Sequence, residues 1–299
     1  MRNTFFSTLI CIATFSGTTS AAEFLLKDGE RVLFLGNTMV EREQEYGDWE
    51  LQLTLAAGEK KLTFRNLGWS GDTVWAESRG LFDPPAVGYQ RTLELVRELK
   101  PTTILIGYGA VESQRGPAGL NEFKKQYEKL RQDLLANNVK FVHLSPVLLE
   151  AATFPELAEG VEEHVAAANK NLSLYAEAIR EICAKNGELF IDLQATQRSS
   201  DKKVHWTENG VQLSGYGYKA TAAVIASAFG GEVSQSEHNQ MRELIQRKNE
   251  LFFHRWRPQN FTYLLGFRKH EQGQNAVEIA EFDPLIEELE SQIQEVKSK

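Results

Sequence analysis

Cysteine is nearly absent from this chain of 299 residues, which holds only Cys11 and Cys183. Cys11 falls in an N-terminal leader, so Cys183 stands alone in the rest of the chain and no intrachain disulfide is expected. An excess of positive charge is missing too. The formal net charge is -8, and the basic residues are scattered among acidic ones, which excludes a phosphate-tracking surface and with it nucleic acid as a partner. No apolar run is long enough to span a bilayer. The six histidines show no spacing that suggests a zinc site, so neither metal nor cofactor is expected.

What remains is an ordinary globular composition, 42% apolar and 25% charged, enough for one large α/β core and an appendage. Residues 1–22 read as a secretory signal. Arg2 supplies its charge, Phe5 to Phe15 the apolar core, and Thr19 to Ala22 the small residues of a cleavage site. Cys11 lacks the small residue before it that a lipoprotein signal needs. The chain is therefore expected to be cleaved near Ala22 and released as a secreted or periplasmic protein.

Short apolar runs then alternate with longer helical patterns. Strands are expected at Arg31 to Leu35, Leu62 to Asn66, Thr102 to Gly107, Phe141 to Ser145 and Leu189 to Leu193. Between them fall an acidic helix carrying Trp49, Leu51, Leu53 and Leu55, then helices at Arg91 to Leu99, Leu120 to Leu135, Asn169 to Lys185 and Tyr216 to Phe229. This alternation implies a parallel sheet covered on both faces. Ligands of such sheets collect at the carboxyl ends of the strands.

The main domain is expected over residues 23–233, with a C-terminal extension over 234–299. In that extension Phe252, Phe253, Trp256, Phe261, Tyr263 and Phe267 are interleaved with histidine, arginine and lysine, in neither helical nor strand periodicity. The bland expectation is an arm packed on the main domain. The sharper one is a sugar- or partner-binding surface of aromatic faces and cations. Beyond Pro284, Ile286, Leu289, Ile293 and Val296 mark an amphipathic helix. Its repeat is too short for a long coiled coil.

Four blocks carry the chemistry. Leu33-Phe-Leu-Gly-Asn-Thr38 ends a buried strand in a sharp turn, and Asn66-Leu-Gly-Trp-Ser-Gly-Asp-Thr73 follows the second strand. Gly107-Tyr-Gly-Ala-Val-Glu112 follows the third, and Trp206-Thr-Glu-Asn-Gly-Val-Gln-Leu213 precedes the last helix. In this order and spacing they resemble the SGNH, or GDSL-type, hydrolases over about Arg31 to Phe229, in particular a secreted branch of that superfamily. The resemblance implies a three-layer α/β/α, flavodoxin-like fold with a parallel sheet, and descent from carbohydrate or acyl esterases.

Mapped residue by residue, the resemblance places the nucleophile at Thr38, after Asn37 where the family carries Asp. It places the oxyanion glycine at Gly71, the side-chain oxyanion donor at Val111, the aspartate at Asn209, or at Glu208 if the register shifts by one, and the general base at Gln212. Thr38 keeps a hydroxyl but adds a methyl that stiffens χ1 in a tight turn. It also reads as a capping box with Glu41. Valine donates no hydrogen bond, a loss on the order of 3 kcal/mol of transition-state stabilisation. Glutamine does not take a proton near neutrality. Glu112 is expected either to orient its loop through backbone amides or to line the pocket.

These substitutions are compatible with two readings. In one the chain is an atypical, weakly active or inactive esterase, acting on an acylated carbohydrate or small ester, in which His205 or Glu208 replaces the base within reach of Thr38. In the other it is a non-catalytic glycan- or protein-binding module whose cleft is open and polar, with no base near Thr38. His143, at a strand end, is expected to be structural, and His164 and His238 solvated.

Overall fold

The structure, a computed structural model, describes residues 25–135, 139–151, 159–201 and 203–298. The expected leader lies outside the described residues. Five parallel strands make the sheet: β1 (Arg31–Gly36), β2 (Thr63–Asn66), β3 (Thr103–Gly107), β4 (Lys140–Leu144) and β5 (Leu189–Ile191), in the order β2-β1-β3-β4-β5. The chain leaves β1 for β2 on one side and reaches β3 on the other. The crevice where the order reverses thus opens at the carboxyl ends of β1 and β3, whose last residues Gly36 and Gly107 are in register.

Strand alternation divides the core. Leu33, Leu35, Ile104 and Ile106 face one way, against α3 (Pro85–Leu99), α4 (Gly116–Leu135) and α5 (Val161–Asn186). Val32, Phe34, Leu105 and Val142 face the other, against α1 (Thr38–Tyr46), α2 (Asp48–Ala56) and α7 (Gly215–Ala228), and a short α6 (Leu193–Ser199) follows β5. The result is a three-layer α/β/α fold. The single acidic helix expected after β1 is two helices, because Gly47 at φ 68° closes α1 and starts α2 in a new direction.

The C-terminal residues differ most from expectation. Residues 239–256 form a regular helix, α8 (Asn239–Trp256), that buries Met241, Ile245, Lys248, Asn249, Phe252 and Trp256 at three-four spacing. The stripe was hidden because two of its members are polar. Lys248 is fully buried and donates to both Glu50 carboxylate oxygens, at 2.7 and 2.6 Å, so α8 is pinned to α2 by a pair that costs several kcal/mol to break from one side. After the short α9 (Phe261–Leu264) and α10 (Lys269–Gln272), α11 (Phe282–Lys297) buries Ile286, Leu289 and Ile293. It begins before Pro284 rather than after it. The aromatics divide, with Phe252 and Trp256 in the main core while Phe267 is 68% exposed.

Candidate functional site

Each of the first three motif blocks follows a strand end. Asn37 is the N-cap of α1, its Oδ1 accepting the Met39 amide at 3.2 Å. The capping box read from Thr38 and Glu41 is not formed: the Thr38 hydroxyl is one residue too late, and Glu41 turns across to accept the Ser70 amide. That leaves Thr38 Oγ1 facing the second block, where it accepts the Gly71 N–H at 3.0 Å. Gly71 sits at φ 71°, a shape that disfavours any Cβ. Gly68 lets the loop approach α1, since a Cβ there would come within 2.2 Å of the Glu41 amide nitrogen.

A buried polar network holds this loop. Asp72 Oδ2 accepts from Arg79 Nε at 2.5 Å and from the Tyr108 hydroxyl at 2.9 Å, while Arg79 Nη2 donates to the Leu67 carbonyl at 2.7 Å. Glu112 completes it from the third block. Its carboxylate accepts the Val74 amide at 2.9 Å and the Gly109 amide at 2.8 Å, tying the second block to the third. Glu112 is buried and does not line the cleft, so of its two expected roles the structure supports loop orientation and corrects the pocket assignment. Burial pushes its pKa up to about 7, against the pull of those amides.

The fourth block is built differently. Gln212 Oε1 accepts from Arg42 Nη1 at 2.5 Å and from Asn209 Nδ2 at 3.1 Å, and Asn209 Oδ1 in turn accepts the Gln212 amide at 2.8 Å. Arg42 also pairs with Glu208 at 2.8 Å. So the residues matching the family's aspartate and histidine lie together, but a guanidinium, not the Thr38 hydroxyl, occupies their acceptor. Glu208 is turned to that same guanidinium. The His205 side chain is exposed and does not line the cleft. Among the described residues, no imidazole or carboxylate hydrogen-bonds Thr38.

A cleft of about 630 Å³ opens over Thr38 and is lined by Asn37, Thr38, Arg42, Val111 and Gln212. It is less polar than expected, because α5 contributes Ala167, Ala168 and Leu172 and the fourth block Val211 and Leu213. Arg42 and His164 are functional candidates that sequence reading missed. Arg42 lies one helical turn after Thr38 on α1, a spacing that puts it on the same face. His164, expected to be solvated, is exposed at the cleft wall. His143 is buried, with Nδ1 at 2.8 Å from the Tyr127 hydroxyl and Nε2 at 2.9 Å from Glu188 Oε2, a satisfied core histidine. His238 is half-buried, 2.9 Å from Ser234 Oγ.

No protein-family model matches the chain, and no curated protein does. Solved structures do. An acetylxylan esterase from Geobacillus stearothermophilus, Axe2, superposes with a TM-score of 0.54 at 17% identity, over 71% of this chain and all of that one. LAE5, an α/β hydrolase enzyme from the metagenome of Lake Arreo in Spain, gives 0.51 at 17% identity, over 69% of this chain and 98% of its own. No helix among the described residues is long and apolar enough to cross a membrane. The chain therefore shares its three-layer α/β/α fold with these esterase and hydrolase structures.

Proposed function

We propose that this protein is an exported SGNH-fold binding protein whose cleft holds a small acylated ligand, an acylated carbohydrate or simple ester, without hydrolysing it at an enzymatic rate. One observation carries the reading. The acceptor atom of the base-position side chain, Gln212 Oε1, is engaged by Arg42 and Asn209, while Thr38 Oγ1 is engaged by the Gly71 amide. A hydroxyl becomes a nucleophile when a neighbouring base takes its proton, and among the described residues no base hydrogen-bonds Thr38. The missing donor at Val111 removes a further part of the oxyanion stabilisation.

The ligand class is argued from the cleft and from the neighbours. The cleft lies over Thr38 and has mostly apolar walls suited to an acyl group. The carbohydrate part rests on the acetylxylan esterases among the similar folds. Export rests on the leader over 1–22.

The test is hydrolysis of 4-nitrophenyl acetate and acetylated xylo-oligosaccharide by the wild type beside Thr38→Ala, with calorimetric binding of the same oligosaccharide. Wild type and Thr38→Ala are expected to share one background rate, and binding is expected to be weakened in Val111→Trp, which narrows the cleft beside Thr38. Turnover that Thr38→Ala abolishes would overturn the reading.

A further inference from the structure

Beside the Ser70–Gly71 loop lies a second cavity, of about 520 Å³, that shares no lining residue with the Thr38 cleft. The main domain contributes Trp69, Arg79, Phe82 and Arg91, and the C-terminal extension contributes Phe253, Trp256, Arg257 and Phe261. Its walls are aromatic. Trp69 and Trp256 meet edge to face with centroids 5.7 Å apart, and Phe253 meets Trp256 at 6.2 Å. Phe82 is 77% exposed and meets the likewise exposed Phe267 edge to face with centroids 5.6 Å apart.

The charged groups of the cavity are all cationic. Three guanidinium groups line it, and none of the lining residues is Asp or Glu. Arg257 lies 3.6 Å over the Trp69 ring, and Arg91 lies 5.3 Å from the Phe261 ring centroid. Two further donors on buried lining residues, Arg79 Nη1 and Trp256 Nε1, have no acceptor among the described residues. Leaving a buried donor unpaired costs about 1–3 kcal/mol, which an acceptor entering the cavity would offset. Desolvation holds Arg257 below the ordinary guanidinium value, with Glu41 opposing and the nearby positive Arg79 adding to the depression. An anion in the cavity would relieve that crowding.

We propose that this cavity is a second binding site, independent of the Thr38 cleft, for a six-membered ring that bears a carboxylate. A carboxylate is an acceptor with the planar geometry a guanidinium matches in two parallel hydrogen bonds. The ring supplies a face for the indole and phenyl surfaces. Arg91 is the group that takes the carboxylate. Its present partner Asp83 is 46% exposed and Arg91 itself 30%, so that pair is worth little and exchanges readily. Arg257 keeps Glu41, which also holds the Ser70 amide. Two sources share this chemistry, a hexuronate unit of an acidic oligosaccharide and a free aromatic acid.

Calorimetry on the full chain with trigalacturonate, 4-hydroxybenzoate and neutral xylotriose separates the outcomes. Either carboxylate, or both, is expected to bind, and which one does identifies the source. Xylotriose is expected to bind at least about tenfold more weakly than the bound carboxylate, a difference of about 1.4 kcal/mol. Arg91→Ala and Phe82→Ala change exposed or half-exposed side chains and are expected to fold with unchanged melting temperature, yet each is expected to weaken binding about tenfold or more. Trp256→Phe keeps a ring, deletes the indole N–H and is expected to weaken it less. Val111→Phe, in the other cleft, is expected to leave it unchanged, which keeps this test separate from that of the Thr38 site. The proposal is overturned if neither carboxylate binds, if xylotriose binds as well as they do, or if Val111→Phe abolishes binding that Arg91→Ala and Phe82→Ala leave intact.

Discussion

The two halves of the candidate site are held in place by different means. The half made of Asn37, Thr38, Gly71, Asp72 and Glu112 grows out of strand ends and is locked by buried groups, among them the Asp72–Arg79–Tyr108 network and the Glu112 carboxylate that joins two loops. The half made of His205, Glu208, Asn209 and Gln212 lies on a loop whose functional side chains are half-buried or exposed. The Glu208, Asn209 and Gln212 side chains bond to Arg42 and to their own loop, while the loop's backbone is held by Glu150, which accepts the Trp206 and Thr207 amides. A residue needed by the fold resists replacement even when chemistry no longer requires it, whereas a residue needed only by chemistry is free to change. On the function proposed above, the Gly71 loop is retained because it is structural, while position 212 was free to change and its side chain is engaged by Arg42.

The comparison is sharpened most by rebuilding the weaker half. Thr38→Ser, Val111→Asn, Asn209→Asp, Gln212→His and Arg42→Ala together are expected to raise ester hydrolysis by about 10³-fold over wild type, a part of the roughly 10⁶-fold that an evolved triad contributes. The same variant without Arg42→Ala is expected to gain far less, because the guanidinium contacts position 212 and disfavours an imidazolium there. Steady-state kinetics on 4-nitrophenyl acetate checks both. Equal gains would show that Arg42 does not displace the base.

The stronger half is broken through its network. Arg79→Ala leaves the fully buried Asp72 carboxylate without its ionic partner and is expected to cost about 3–5 kcal/mol in chemical denaturation. A loss below about 1 kcal/mol would mean that the oxyanion loop is not held as described.

A smaller effect concerns pH. The folded pKa of Glu112 is raised by burial from 4.5 to about 7, and burial moves Glu43 in the same direction. The folded protein therefore binds more protons than the unfolded chain between those values. The stability tied to Glu112 is fully present below about pH 4.5 and is lost as pH rises through about 7. Thermal melts are expected to fall between pH 5.5 and 8, by about 1–3 kcal/mol when converted to stability. Melting temperatures that rise over this interval would contradict the assignment.

Smallest is Gln212→Ala. It removes a half-buried acceptor from Arg42, which keeps Glu208, and is expected to change stability by no more than about 0.5 kcal/mol. A loss as large as that of Arg79→Ala would erase the distinction between the halves.

The sequence made the sheet legible because its central strands β1 and β3 are apolar on both faces, and it made the turns after β1, β2 and β3 legible because glycine recurs where backbones approach. It hid two kinds of feature. The helix α8 was obscured by Lys248 and Asn249, polar residues inside a buried stripe whose cost is met by partners far away in the chain. The part played by Arg42 was obscured because its partner Gln212 lies 170 residues later. The capping box at Thr38 failed for a third reason. Asn37, one residue earlier, is the better cap, and its use freed Thr38 and Glu41 to reach the neighbouring loop.

The central claim is that Thr38 is not a nucleophile, and trapping tests it directly. The wild-type chain is exposed to an activated acyl ester, and residue 38 is examined by intact-mass and peptide mass spectrometry, beside the fivefold rebuilt variant as a positive control. The account predicts no acyl group on Thr38 while Ser at position 38 of the rebuilt variant is labelled. Stoichiometric acylation of Thr38 in the wild type would contradict it.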